Sequence, residues 1–312
     1  MSKDALIFIS EYSDIEGWRR ELNRLMPEMD FRVWPNVGDK ADVKAALVWK
    51  PPHGSLLQFP NLKIVTNLGV GVDHLLQDKS LPPNAIVARI VDPSLTARMV
   101  EYVVLHVLAL HRRVPDLRQA QNAAEWRFIR PEDPSTICVG VLGVGNLGQN
   151  ALQALGRFGF RLAGWSKSPK HLKGISCFSG ADELPKFLAG CDIVISLLPL
   201  TPETENLIDA KVFSQMPKGS AFISLGRGAT VVDDDLLAAL DNGQLRHAVV
   251  DVFRTEPLPP SHPFWRHPKI TITPHNSGTT SPKTAAPGVV EDIRRAIAGA
   301  PVHARVDPRR GY

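Results

Sequence analysis

Short apolar runs alternate with helical or turn-rich segments in the first part of the chain. Four runs have the length and composition of buried strands: Ala5–Ile9, Ala45–Val48, Ile64–Asn67 and Ile86–Arg89. Between them, Ile15–Leu25 predicts a helix and Pro51-Pro52-His53-Gly54 predicts a turn. This alternation is typical of a parallel sheet covered by helices.

The pattern changes at Thr96–Val114, where apolar residues recur at three- and four-residue spacing. The members of this stripe are Met99, Val100, Val103, Val104, Val107 and Leu108. Such spacing predicts one long amphipathic helix, which would be a natural joint between two domains.

A second group of strands follows that helix. Six apolar runs are separated by loops or helical segments: Ile137–Leu142, Arg161–Trp165, Ile193–Leu197, Ala221–Leu225, Ala248–Val252 and Ile270–Thr273. They predict a six-stranded parallel sheet within about Arg98 to Pro274. The predicted helix Val289–Ala298 and the polar tail after it are too short for a third core, so we expect them to return to the first domain.

Composition limits the classes of function. The chain has 312 residues, 44% of them hydrophobic, which suits two domains because single cores stop growing near ~250–300 residues. Its net charge of +4 comes from 36 basic and 32 acidic residues that are interspersed, which argues against nucleic acid as a partner.

The cysteines and the apolar runs indicate a cytoplasmic protein. Cys138, Cys177 and Cys191 form no Cys-x-x-Cys pair, and two of them lie within or beside apolar runs. The first residues lack the long apolar core of a signal peptide, and no uninterrupted apolar run of about 18 residues occurs. We therefore expect neither export nor membrane insertion.

The strand Ile137–Leu142 leads into a glycine motif, Gly143-x-Gly145-x-x-Gly148, and a helical run follows at Gln149–Gly159. In this context the first glycine permits a tight turn and the second lets backbone N–H groups approach a pyrophosphate. The third lets the helix pack closely on the strand, with its N-terminus facing the negative charge. The motif predicts a dinucleotide site.

Arg227, Glu256 and His275 each follow the carboxyl end of a predicted strand. Ligands of open α/β sheets bind at that edge. A guanidinium can bind a substrate carboxylate, an imidazolium can protonate a new alkoxide, and a carboxylate can keep the imidazole charged. Each residue alone also fits an ordinary loop, and only their joint placement favours reduction of a carbonyl.

Two other classes of function are open at this point. A dinucleotide-sensing interaction protein of the same fold, with little turnover, would not need Arg227, Glu256 and His275 together. A metal hydrolase would use His262, His267 and His275, but this spacing matches no common zinc site and no acidic cluster accompanies it.

Several segments resemble the signatures of the D-isomer-specific 2-hydroxyacid dehydrogenases, and the resemblance covers nearly the whole chain. They are Gly143–Gly148, Cys191–Thr204, Met216–Gly228, Asp251–Pro257 and Thr273-Pro-His275. Ser224 stands where the family usually has asparagine. Asn276-Ser-Gly replaces small apolar residues, which predicts a more polar pocket floor.

Further segments resemble the glyoxylate/hydroxypyruvate reductase A branch: Ala46–Pro52, Trp165-Ser-Lys, Asp234–Leu240, Glu256–Pro260 and Val306–Tyr312. The resemblance implies an α/β fold of two Rossmann-like or flavodoxin-like domains with parallel sheets. It implies that a dinucleotide-binding domain, residues 98–276, is inserted in a substrate domain, residues 1–97 and 277–312. It also implies a homodimer formed through the dinucleotide-binding domain.

The resemblance also assigns individual residues. It implies that Gly69, Val70 and Gly71 bind the substrate carboxylate through their backbone, although a structural turn is the alternative. Trp49 and Trp126 are candidates for the pocket wall, with Trp126 reaching the partner's site, although both could be core residues. The matched cofactor positions are Gly143, Gly145, Asn146, Leu147, Gly148, Leu198, Pro199, Leu225, Gly226 and Asp251. Asp251 resembles the residue that contacts the nicotinamide carboxamide, and a capping acid is the alternative.

The residues after the strand Arg161–Trp165 bear on the choice of cofactor. Where an NAD enzyme normally has an acid that binds the ribose hydroxyls, this chain has Ser166, followed by Lys167 and Lys170. A hydroxyl and two ammonium groups can bind a 2′-phosphate, so we expect NADPH in preference to NADH. A solvated basic turn is the alternative. No metal is expected.

The expected reaction is NADPH-dependent reduction of small 2-oxo acids, glyoxylate and hydroxypyruvate, to glycolate and D-glycerate. His275 donates the proton, Glu256 keeps the imidazole charged, and Arg227 binds the carboxylate. A formate enzyme is disfavoured because the resemblance would then imply an amide at position 256.

Overall fold

The computed structural model describes residues 3–11, 14–76, 78 and 80–307. The chain divides into two compact units, Met1–Leu95 with Thr279–Tyr312, and Thr96–Gly278. The expected domain boundaries, 97/98 and 276/277, each lie two residues from these divisions. The end of the segment Val306–Tyr312 lies outside the described residues.

The first unit is built on a five-stranded parallel sheet in the order β2-β1-β3-β4-β5. Its strands are β1 (Ala5–Ile9), β2 (Asp30–Val33), β3 (Val43–Val48), β4 (Ile64–Asn67) and β5 (Ile86–Arg89). Helices α1 (Ile15–Leu25) and α2 (Asp73–Leu76) belong to the same part of the chain. Every residue of β1 and β4 is buried, as is typical of parallel strands covered on both faces.

The second unit is built on a seven-stranded parallel sheet in the order β12-β11-β10-β9-β6-β7-β8. Its strands are β6 (Cys138–Leu142), β7 (Arg161–Ser166), β8 (Ser176–Ser179), β9 (Ile193–Ser196), β10 (Ser220–Ser224), β11 (Leu245–Val250) and β12 (Ile270–Ile272). Its helices are α3 (Pro93–His111), which begins just before the division, α4 (Val114–Asn122), α5 (Asn146–Gly156), α6 (Gly180–Ala189), α7 (Ala210–Ser214) and α8 (Asp233–Asp241). The strand order reverses at β6, where doubly wound sheets bind their ligands.

The chain returns to the first unit with α9 (Pro282–Ile297). Ala286 and Ile293 of this helix are fully buried in the same hydrophobic cluster as Phe8 and Trp18. The following segment pairs with the edge of the sheet, since Ala88 and Arg305 form an antiparallel bridge. The segment from Thr279 is therefore part of the first compact unit.

Two edge strands were not predicted, and the long helix has different bounds. β2 and β8 contain few apolar residues, because an edge strand of a sheet is covered less completely than its centre. The predicted helix Thr96–Val114 begins earlier, at Pro93, and ends at His111, because Arg113 adopts a left-handed φ of +57°. The second sheet thus has seven strands where six were expected.

Helix α3 is long and apolar enough to cross a membrane by length and composition, with a mean hydropathy of 1.2. A core helix of a water-soluble domain passes the same test, so this property of a single helix is weak evidence. Met99, Val103 and Val107 of this helix are buried in the protein itself.

Candidate active site

Arg227, Glu256 and His275 lie after three strands that are neighbours in the second sheet, β10, β11 and β12. These strands are parallel, so their carboxyl ends meet at one edge of the sheet. The joint placement of the three residues, which the sequence predicted, therefore follows from the strand order.

His275 and Glu256 form a hydrogen-bonded pair. Nδ1 of His275 lies 2.9 Å from Oε2 of Glu256, and the two side chains are 32% and 21% exposed. The other carboxylate oxygen of Glu256 accepts a hydrogen bond from the backbone N–H of Phe253, at 3.0 Å. Because a carboxylate only accepts, Nδ1 carries a proton, and Nε2 is the nitrogen left for acid–base chemistry.

The turn that carries His275 is built around Asp251, whose side chain is completely buried. Asp251 accepts hydrogen bonds from the backbone N–H groups of Asn276 and Ser277, at 3.0 and 3.1 Å, and from Thr273 Oγ1, at 2.5 Å. The N–H of His275 donates to the carbonyl oxygen of Asp251 at 2.8 Å. His275 has a left-handed φ of +52°, which costs a non-glycine residue about 1–2 kcal/mol. The contacts of Asp251 stabilise this conformation.

Two glycines position Arg227. A Cβ on Gly226 would lie 2.2 Å from the carbonyl oxygen of Leu198, and one on Gly228 would lie 1.9 Å from the carbonyl carbon of Phe253. The loop after β10 therefore contacts the loops after both neighbouring strands, which only glycine permits. Arg227 Nη1 donates to the carbonyl oxygen of Gly226 at 2.9 Å.

The glycine motif between β6 and α5 has the geometry that a dinucleotide requires. Gly143 has a φ of +101°, and a Cβ on Gly148 would lie 2.2 Å from the carbonyl oxygen of Gly143. Gly145, by contrast, faces open space, since a Cβ there would meet nothing within 4 Å. Gly143 and Gly148 pack closely against the backbone, and Gly145 leaves open space at the N-terminus of α5. This arrangement fits a bound pyrophosphate.

The other predicted cofactor positions of this unit lie along the same edge. Asn146 and Leu147 begin α5, Leu198 and Pro199 follow β9, Leu225 follows β10, and Lys167 and Lys170 follow β7, which ends at Ser166. Ser166 Oγ donates to the carbonyl oxygen of Ser168 at 2.8 Å. Lys170 lines a cavity of about 530 Å³ in the loop between β7 and β8.

Lys167 forms an exposed ion pair with Glu203, with 3.5 Å between Nζ and Oε1. A hydrogen bond from Thr201 and the charge of Lys167 hold the pKa of Glu203 below its usual range. The carboxylate is therefore ionised at neutral pH and competes with any anion that approaches Lys167.

Gly69, Val70 and Gly71 lie in the first unit, in the loop after β4. The buried amide of Asn67 donates to the carbonyl oxygens of Gly69 and Gly71, at 3.1 and 2.8 Å. A Cβ on Gly69 would lie 2.5 Å from the ring of Trp49. Trp49 therefore packs on this loop, and the binding role of the loop stays a prediction.

Trp126 is fully exposed, so it is not a core residue. His262, His267 and His275 each lie beside a different acid, Asp233, Asp241 and Glu256 respectively. Over the described ranges no group of three or more His, Cys, Asp or Glu side chains is arranged to hold a metal ion. The geometry therefore gives no support to the metal hydrolase.

Sequence reasoning did not single out Tyr102, Glu203 and Thr273, which contact strand-end loops of the second unit, or Asn67, which holds the loop after β4 in the first unit. Each acts through a contact with a loop or a strand end, and Tyr102 meets Thr273 across 171 positions of the chain. Two of them had a local signal, since Glu203 and Thr273 lie in the matched segments Cys191–Thr204 and Thr273-Pro-His275.

Comparison with known proteins identifies the family. The sequence model of the D-isomer specific 2-hydroxyacid dehydrogenase NAD binding domain matches residues 104–277, more than half of the chain. The chain belongs to this family. The 2-hydroxyacid dehydrogenase family, the α/β fold with parallel sheets and the resemblance to the reductase A branch are thereby confirmed.

Three relatives are similar over nearly their whole length. Glyoxylate/hydroxypyruvate reductase A of Serratia proteamaculans is 39% identical, covering 98% of this chain and 99% of the relative. The D-isomer specific 2-hydroxyacid dehydrogenase of Xanthobacter autotrophicus Py2, in complex with NADPH and MES, has a TM-score of 0.95 and 44% identity over 100% of both chains. The NADPH-dependent glyoxylate/hydroxypyruvate reductase of Sinorhizobium meliloti, in complex with NADP and sulfate, has a TM-score of 0.91 and 31% identity, covering 99% of this chain and 100% of that one.

These relatives make the chain an NAD(P)-dependent oxidoreductase of the 2-hydroxyacid dehydrogenase family. A metal hydrolase is excluded by that membership. A sensor without turnover is disfavoured, because the curated relatives are both named as reductases.

Proposed function

We propose that the protein reduces small 2-oxo acids, glyoxylate and hydroxypyruvate, to glycolate and D-glycerate with NADPH. The pairing of His275 with Glu256, at the same sheet edge as the glycine motif, is the observation that carries the proposal. The printed names of the Serratia and Sinorhizobium relatives support the substrates, and the NADPH complex of the Xanthobacter protein supports the cofactor.

NADPH, when bound, supplies the hydride that is transferred to the 2-carbonyl carbon. Arg227 binds the substrate carboxylate and so orients the carbonyl. His275, protonated on both nitrogens, donates the proton on Nε2 to the carbonyl oxygen as it becomes an alkoxide. Glu256 accepts the hydrogen bond from Nδ1, which fixes the plane of the ring and leaves Nε2 for the proton transfer.

The assignment of Arg227 and His275 is tested with two truncations. His275→Ala and Arg227→Ala should each lower kcat/KM for glyoxylate by ~10²-fold or more, with NADPH affinity nearly unchanged. His267→Ala is the matched control, because His267 also lies beside a carboxylate but before β12 rather than after it. Steady-state rates and fluorescence titration of NADPH give both quantities. Rates like those of the unmodified protein in either truncation would refute the mechanism.

A substrate panel tests the proposed reaction itself. Glyoxylate and hydroxypyruvate should give higher kcat/KM than pyruvate or phenylpyruvate, each measured with NADPH and NADH. Preference for the bulky aromatic acid would overturn the branch assignment. NADPH binding without measurable turnover on any member of the panel would favour a sensor instead.

We infer that the protein is a cytoplasmic homodimer that binds neither nucleic acid nor a membrane. The interspersed charges support the absence of a nucleic-acid surface. Leu105, Val114 and Leu117, on α3 and α4, are large apolar residues that are 59%, 42% and 38% exposed, and the nearby Trp126 and Phe128 are more exposed still. Apolar exposure of this extent on one segment supports an interface with a second copy.

A further inference from the structure

A chain of hydrogen bonds connects helix α3 to the turn that carries His275. Tyr102 Oη lies 2.5 Å from Thr273 Oγ1, which lies 2.5 Å from Asp251 Oδ1. Because a carboxylate only accepts, Thr273 donates its single proton to Asp251, and Tyr102 therefore donates to Thr273. The direction of the chain is fixed from Tyr102 to Thr273 to Asp251.

The phenol of Tyr102 is held in place and remains a donor. Its ring packs on the imidazole of His106, one helical turn further along α3, with 4.2 Å between the ring centroids. Burial raises the pKa of Tyr102 to about 12, so the hydroxyl is neutral throughout any working pH range.

Thr273 is placed to stabilise the turn that carries His275. It lies two residues before His275, and its hydroxyl contacts the carboxylate that also accepts the N–H groups of Asn276 and Ser277. A hydroxyl that accepts one hydrogen bond is a stronger donor to the next group, so the phenol strengthens the contact of Thr273 with Asp251.

We propose that Tyr102 is a positioning residue for His275, acting through Thr273 and Asp251 to keep the turn in its left-handed conformation. The inference rests on the proposed function, in which His275 is the proton donor. The phenol hydrogen-bonds to Thr273, and Asp251 uses both of its carboxylate oxygens within the turn, so the expected effect of Tyr102 is on the placement of Nε2.

The test measures kcat and KM for glyoxylate and NADPH in variants that remove single groups. Tyr102→Phe should lower kcat by ~5-fold and Thr273→Val by ~30-fold, with both KM values within about twofold, because misplaced acid–base groups lower the rate of the chemical step. Thr273→Ser keeps the hydroxyl and should restore most of kcat. The double variant should match Thr273→Val alone, since Tyr102 acts only through Thr273.

Thr271→Val is the matched control. Thr271 lies on the same strand, β12, and its hydroxyl is hydrogen-bonded to His247, away from the turn. An equal fall of kcat in this control would attribute the effect to general loosening of β12 and overturn the inference. Additive losses in the double variant, or a fall in NADPH affinity parallel to kcat in Tyr102→Phe, would overturn it as well.

His275→Ala distinguishes this inference from the proposed function. If that variant loses turnover while Tyr102→Phe keeps the original kcat, the positioning role is wrong and the proposed function stands. If His275→Ala itself retains turnover, the proposed role of His275 as the proton donor is wrong.

Discussion

Lys167 is the residue on which the preference for NADPH is expected to depend. Its ammonium group faces solvent and Glu203, and a 2′-phosphate would replace that ion pair with a stronger one. We predict at least ~10-fold preference for NADPH over NADH in kcat/KM, about 1.4 kcal/mol, most of which Lys167→Ala should remove. The preference should weaken at roughly 0.5 M salt, because exposed charges are screened.

Two further variants sharpen this comparison of cofactors. Glu203→Gln removes the competing anion and should lower KM for NADPH by ~2- to 5-fold, with little effect on NADH. Lys218→Ala removes the same charge from an exposed residue that precedes β10, at the opposite edge of the sheet. It should change neither the preference for NADPH over NADH nor KM for NADPH. Equal use of both cofactors by the unmodified protein at low salt would contradict the role of Lys167.

His247 is expected to make the folded state sensitive to acid. Burial lowers the pKa of His247 to about 4, and Nε2 of the neutral ring is hydrogen-bonded to Thr271 at 2.9 Å. Below the ordinary histidine pKa of about 6.5 the unfolded chain binds a proton that the folded state does not, so stability falls with pH between about 6.5 and 4. From about pH 7.5 to 5 this single residue should contribute about 2 kcal/mol of the loss.

The measurement is the thermal midpoint of unfolding at those two pH values. His247→Gln cannot titrate, so its midpoint should fall less between them than that of the unmodified protein. His171→Gln replaces an exposed histidine, and its midpoint should fall as much as that of the unmodified protein. An identical fall in His247→Gln would show that the burial of this ring does not govern the acid sensitivity.

At the scale of residues, the sequence predicted the side chains that follow strands and missed those that act across the fold. Arg227 and His275 were predicted because apolar runs mark the strands before them. Tyr102 was read only as part of a helix, and its contact with Thr273 depends on packing that no local pattern encodes. The roles assigned to Arg227 and His275 stay predictions until the variants above are measured.

In the turn from β6 to α5, we expect substitution of one glycine to affect stability and substitution of another to affect cofactor binding. Gly148→Ala would place a methyl group 2.2 Å from the carbonyl oxygen of Gly143, and such overpacking should destabilise the protein by about 1–3 kcal/mol. Gly145→Ala would place its methyl group in open space, at an extended φ of −83°, and should leave the thermal midpoint unchanged.

The same two variants should behave in the opposite way toward NADPH. In Gly145→Ala the methyl group occupies the space into which the pyrophosphate fits, so Kd should rise by ~10-fold or more. Calorimetric titration gives Kd, and differential scanning calorimetry gives the midpoint. Unimpaired NADPH binding by Gly145→Ala would show that the pyrophosphate does not approach this glycine.

At the scale of elements, the central strands were predictable, and two of the four edge strands, β2 and β8, were not. β6 and β10 are buried along their whole length, so their apolar runs are unambiguous. β2 and β8 lie at the edges, and each is partly exposed with few apolar residues. The end of α3 was placed too late because the apolar pattern continues past Arg113, whose left-handed backbone interrupts the helix.

At the scale of the whole molecule, the exposed residues of α3 and α4 predict how two copies associate. The apolar stripe of α3 includes Met99, Val103 and Val107, which are buried within one chain. Leu105 is 59% exposed and is therefore the better candidate for the centre of a two-fold contact. Leu105→Glu should shift the protein from a dimer toward its 34.2 kDa monomer in light scattering at micromolar concentration.

Leu57→Glu provides the matched control for this substitution. Leu57 lies in the first unit and is 57% exposed, so the same charge is introduced at a leucine of nearly equal exposure. This control should remain dimeric. A monomer in the unmodified protein would refute the dimer, and a dimer that survives Leu105→Glu would place the interface elsewhere.

The return of α9 to the first unit has a consequence for synthesis on the ribosome. Ala286 and Ile293 complete the cluster around Phe8 and Trp18, yet they are translated after every residue of the second unit. The second unit has all of its strands once residue 278 has left the exit tunnel, whereas the first must wait with part of its core uncovered. We therefore expect the inserted unit to fold first on the nascent chain, and the core around the earliest strands to be completed last.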